Sequence, residues 1–186
     1  MIRQEALTSI LEAEVALDQW DASPSVGLMA EQGEEFRLVP VQLSERFWTS
    51  LDPASMLDVL ARAIVHPQRM AGGISLPVEW PEGFRLTGVA LFTEGWGLDL
   101  TGLPPKAKDK ALKLSETRQL STHPNRVEVK MIAAQDVSGG RYSISWRRGA
   151  PGPLEMRQDI PGGYQLSGRV FDGLEAILTA LQRVGI

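Results

Sequence analysis

The stretch 118–147 gathers side chains that can recognise or move charge: Arg118, His123, Asn125, Arg126, Glu128 and Arg147. Guanidinium groups hold carboxylates and phosphates through paired, planar N–H donors. An imidazole beside a carboxylate can instead shuttle a proton, because it titrates close to neutrality. Glu94 and Trp96, at the end of an apolar run, add an acid and a stacking surface. These residues support two function classes. One is a binding surface for an acidic protein segment or an anionic small molecule. The other is acid–base hydrolysis by His123 with Glu128 or Glu94.

Motifs for other chemistries are missing from the sequence. There is no G-x-S-x-G elbow and no G-x4-G-K-[ST] phosphate loop, and "GWGLDL" lacks the third glycine of a dinucleotide fingerprint. His66 and His123 are the two histidines, each followed by proline, and there is no cysteine. With no ligand-like spacing among histidines and carboxylates, neither a metal nor a cofactor is expected. Paired-carboxylate glycoside chemistry has no spacing signal either.

Charge is distributed unevenly. Residues 1–104 carry a net −9 and residues 105–186 a net +5, within a total of −4. The two halves can attract each other inside one fold, or the second half can offer a basic face to an anionic partner. A mildly acidic chain argues against nucleic acid as that partner. Self-association through the same patch is a further option. The N-terminal segment is broken by Glu5, Glu12 and Glu14, so no signal peptide is expected. No run reaches the length of a membrane span. Together with the missing cysteines, this points to a cytoplasmic protein with no membrane partner.

A chain of 186 residues fits one domain, 1–186. Leu7, Ile10, Leu11, Val15 and Leu17 predict an amphipathic helix over 2–18. Residues 25–43 alternate around Gln32-Gly33-Glu34 and predict a hairpin, whose second strand carries Pro40 and so belongs at an edge. Ser44 predicts the start of a short helix, and Asp52-Pro53 the start of another with Met56, Leu57, Leu60 and Ile64 on its inner side. The loop after that helix should be partly extended and packed by Trp80. "FRLTGVALF" is apolar on both faces, as a central strand is. Residues 106–120 predict a polar surface helix and 164–170 a last strand. Asp172 and Glu175 predict a capped C-terminal helix ending at Gly185. Hairpins mixed with helices at both ends, without strand–helix alternation, predict an α+β fold: a single, largely antiparallel sheet packed by N-terminal, central and C-terminal helices.

The stretch 126–147 predicts a second hairpin around "QDVSGG". Amphipathic alternation places Val127, Val129, Met131 and Ala133 against Tyr142, Ile144 and Trp146. In that register Ala134 pairs with Arg141, Val129 with Trp146, and Glu128 lies across from Arg147. A shift of one residue would bury charge, so the pattern excludes it. Trp146 then belongs to the core and Trp96 to the rim of a site.

The segments "GVALFTEGW" (88–96) and "RQLSTHPNRVEVKMIAAQDVSGGRYSISWRRG" (118–149) resemble an uncharacterised family of proteins from actinobacteria and their phages. In that pattern an acid-x-Trp strand end precedes an Arg-x4-His-Pro-x-Arg-x-Glu strand and a turn leading to Tyr and an Arg-Gly end. The resemblance covers about the central third of the chain and implies a shared domain without implying an activity. Gly95 departs from the pattern between the acid and the tryptophan.

Overall fold

The computed structural model describes residues 4–16, 20–43, 51–66, 74–75, 80–99, 102–107, 122–149, 155–159 and 166–185. Among the described residues three helices, α1 (Gln4–Ala16), α2 (Pro53–Val65) and α3 (Arg169–Val184), accompany seven strands. These are β1 (Ser25–Gln32), β2 (Glu35–Leu43), β3 (Ile74–Ser75), β4 (Arg85–Leu98), β5 (Arg126–Asp136), β6 (Arg141–Arg147) and β7 (Glu155–Gln158). They form one sheet in the order β3-β2-β1-β4-β5-β6-β7, every pairing antiparallel. The single α+β domain with helices flanking an antiparallel sheet is as the sequence predicts.

Helices cover both faces of the sheet, so the central strands meet apolar side chains above and below. On one face Val26, Leu28, Val89, Leu91 and Ala133 pack under α2 and α3 through Leu57, Leu60, Leu174, Ile177 and Leu181. On the other, Met29, Ala90, Phe92, Ile132, Ala134, Tyr142 and Ile144 pack under Leu7 and Leu11 of α1. The doubly apolar β4 is accordingly the central strand. α2 and α3 approach closely because Gly173 faces Leu57: a Cβ there would lie 2.6 Å from the Leu57 Cβ.

Local chemistry explains the element boundaries. Asp52 caps α2, accepting from the Ser55 amide at 3.3 Å and the Ser55 hydroxyl at 2.7 Å, with Pro53 at the first helical position. Gly33 turns the first hairpin at φ +59°. Pro40 faces Gly27 of β1, while β3 pairs only with Gln42 and Leu43, so the missing amide falls where β2 has no outer partner among the described residues. β3 is the extended part of the loop before Trp80, whose indole donates to the Phe84 carbonyl at 2.7 Å.

Three expectations are corrected. Residues 166–168 form no strand; β7 lies earlier, at Glu155–Gln158. α3 begins at Arg169 behind Gly168, whose φ of +111° suits glycine, so Asp172 lies in the first turn instead of capping it. Glu175 reaches Arg141 at 2.9 Å. The third correction is the register of the β5–β6 hairpin. Ala134 pairs with Tyr142, Ile132 with Ile144, Lys130 with Trp146 and Val129 with Arg147, one residue away from the amphipathic prediction.

The turn supplies the physical reason. The buried Asp136 carboxylate accepts from the Ser138 amide (2.9 Å), the Ser138 hydroxyl (2.6 Å), the Gly140 amide (2.8 Å) and the Tyr142 hydroxyl (3.0 Å). Its backbone amide also donates to the Gly140 carbonyl, which sets Gln135 against Arg141. Burial pushes the Asp136 pKa up. The donors of Ser138, Gly140 and Tyr142 outweigh that and hold the carboxyl below its ordinary value. Alternation misleads because residues 132–136 are buried on both sheet faces. The short helix expected from Ser44 and most of the polar helix expected over 106–120 lie outside the described residues.

Candidate functional site

On the α1 side, three strands continue past the apolar core into charge. Phe92 of β4 is followed on that face by Glu94 and Trp96. Ile132 of β5 is preceded by Lys130, Glu128 and Arg126, and Ile144 of β6 is followed by Trp146 and, beyond the strand, Arg148. The β4–β5 pairing sets Glu94 across from Lys130, Trp96 across from Glu128 and Leu98 across from Arg126. Trp20 and Asp21, between α1 and β1, complete the group.

Lys130 is only 5% exposed, and its Nζ lies 3.4 Å from Glu94 Oε1. Glu94 Oε2 accepts from the Asp21 amide at 2.7 Å, and Asp21 adopts a left-handed φ of +65°. The Trp20 ring meets two cations, Lys130 Nζ at 5.6 Å and the Arg148 guanidinium at 4.9 Å. Arg148 donates to Glu128 Oε2 at 2.6 Å, and its amide donates to the Glu128 carbonyl at 2.9 Å. The Arg126 guanidinium lies over the ring of Trp96 at 5.1 Å, and Trp96 is 44% exposed. Among the described residues Arg126 enters no ion pair.

Carboxylate oxygens of Asp21, Glu94 and Glu128 all lie within 4.8 Å of one another, so these are the residues that could hold a cation. Two of the three already face a basic partner: Lys130 for Glu94 and Arg148 for Glu128. The cluster is therefore a self-compensated ionic group with Arg126 at its outer edge.

The sequence candidates divide accordingly. Glu94, Trp96, Arg126 and Glu128 share this face. Arg147 lies on the opposite face and donates to Asp99 at 2.7 Å. His123 and Asn125 brace the start of β5: the Asn125 amide donates to His123 Nδ1 at 3.1 Å, and the Asn125 side chain donates to the Asp99 carbonyl at 3.4 Å. Arg118 lies outside the described residues. Sequence reading missed Trp20, Asp21, Lys130 and Arg148. For Lys130 a signal existed, since an acid and a base can face each other across adjacent strands. Using it required knowing the β4–β5 register.

Among the described residues no helix is long and apolar enough to cross a membrane. No family model, curated protein or solved structure matches this chain.

Proposed function

We propose that this protein is a non-enzymatic binding module whose recognition surface is the α1 side of the β4–β5 end. The observation that carries this reading is Arg126: a guanidinium stacked on an exposed indole, with no carboxylate partner among the described residues. Stacking on Trp96 holds the planar cation in place while its outer N–H groups stay available, which lowers the ordering cost of grasping an anion. Its ligands are anionic groups on a protein or small molecule. Kinship with the actinobacterial and phage proteins, on the two motifs quoted for it, is part of the same proposal.

The acid–base alternative has less support. His123 Nδ1 is occupied by the Asn125 amide, and among the described residues no hydrogen bond or ion pair joins His123 to Glu94 or Glu128. The test is an NMR titration with citrate and inorganic phosphate, followed at Arg126 Nε–Hε and Trp96 Nε1–Hε1. Shifts at both resonances are expected in the parent, and the Trp96 shift should vanish in Arg126→Ala. Silence at both with every anion would remove this reading.

A further inference from the structure

The same patch indicates the shape of its ligand. Arg126 and Glu128 are alternate residues of β5 on one face, and Arg148 is tied to Glu128 through both backbone and side chain. Alternate residues along a strand are about 7 Å apart, and neighbouring strands are about 5 Å apart. The backbones carrying the two guanidiniums are therefore separated by about 9 Å, within the reach of flexible arginine side chains from the roughly 7 Å between alternate side chains of an extended peptide.

We propose that the patch captures an acidic segment of a partner protein in extended form, with one carboxylate on Arg126 and a second, two residues along, displacing Glu128 from Arg148. This inference rests on the anion-binding reading above and adds the partner class. Charge complementarity supports it, because among the described residues Arg126 enters no ion pair and Arg148 can exchange one carboxylate for another. Trp96 supplies exposed apolar area beside Arg126, and tryptophan and arginine are the residue types that dominate binding energy at protein interfaces. The side chains stand on a sheet surface, which suits a segment laid across it; small ligands favour enclosed pockets. Exchange at Arg148 replaces one ion pair by another but leaves Glu128 beside the carboxylates of Asp21 and Glu94, so Arg126 and Trp96 must provide most of the affinity.

The experiment is titration of the full chain with a labelled synthetic peptide carrying glutamate at alternate positions. A peptide of the same composition with its two glutamates adjacent, a lysine counterpart, and inorganic phosphate serve as comparators. Expected are binding of the alternating acidic peptide, weaker binding of the adjacent-acid peptide, and no binding of the lysine peptide. Arg126→Ala should lose roughly tenfold or more in affinity and Arg126→Lys an intermediate amount. Arg85→Ala, at the far end of β4 with its side chain 80% exposed, should bind as the parent does. Equal affinity for both acidic peptides, or full affinity in Arg126→Ala, would overturn the inference. If phosphate and citrate shift Arg126 while no acidic peptide binds, the partner class fails and the anion surface stands; if all are silent, both fall.

Discussion

Removing the Asp136 carboxylate should loosen the β5–β6 hairpin more than any surface change of comparable size. The carboxylate is 2% exposed and gathers four donors. A hydrogen bond to a charged group contributes about 1.5–3 kcal/mol, and shared networks contribute less than the sum of their members. Asp136→Ala leaves the donors of Ser138, Gly140 and Tyr142 facing a void, which should cost about 3–5 kcal/mol. With a urea slope near 2 kcal/mol/M, the midpoint should fall by roughly 1.5–2.5 M. Asp136→Asn retains one carbonyl oxygen for Ser138 and Gly140 and turns an amide toward the Tyr142 hydroxyl, so about 1–2 kcal/mol is expected. The pH dependence gives an independent check. A carboxyl whose folded pKa is depressed contributes stability that is fully present above its unfolded pKa, about 3.9, and is lost as pH falls through the lower folded value. The stability gap between the parent and Asp136→Asn should therefore be constant at neutral pH and close progressively below about pH 4. Urea titrations from pH 7 to pH 2 measure it. A gap that does not narrow with acid, or an alanine variant within about 1 kcal/mol of the parent, would refute the view that this carboxylate holds the turn and its register.

Contacts elsewhere set three further outcomes. Lys130→Met leaves Glu94 without its nearest cation and should cost about 2–4 kcal/mol, while Lys130→Met with Glu94→Gln should recover most of that; thermal denaturation of the double-mutant cycle measures the coupling. Gly173→Ala places a methyl 2.6 Å from the Leu57 Cβ and should force α2 and α3 apart, at about 1–3 kcal/mol by urea denaturation, despite alanine's better helix propensity. Trp20→Ala removes a ring shared by Lys130 and Arg148 and should lower stability by about 1 kcal/mol, read as a shift in thermal midpoint; an unchanged midpoint would mean the ring contributes nothing there.

Local rules wrote much of this architecture into the chain. The Asp52-Pro53 cap, the glycine turn at 33, the doubly apolar β4 and the leucine–isoleucine stripe of α3 each arise from residues close together in sequence. Alternation likewise puts Glu94 with Trp96 on one face of β4 and Arg126 with Glu128 on one face of β5, but only the β4–β5 pairing brings the two pairs together. The β5–β6 register was not legible in this way, since alternation presumes that one face meets water and α1 covers that face instead. Arg147, which alternation would place opposite Glu128, consequently turns to Asp99 on the other side.

What the sequence determined by itself was the identity of the long helices and hairpin strands, through caps, turns and apolar periodicity acting over a few residues. Tertiary structure alone decided that Lys130 is buried beside Glu94, that the Trp20 ring meets both Lys130 and Arg148, and that Arg126 is left on Trp96 at the edge. Those contacts join residues far apart along the chain. They depend on which strands become neighbours and which face a helix covers, and neither can be inferred from spacing in the sequence.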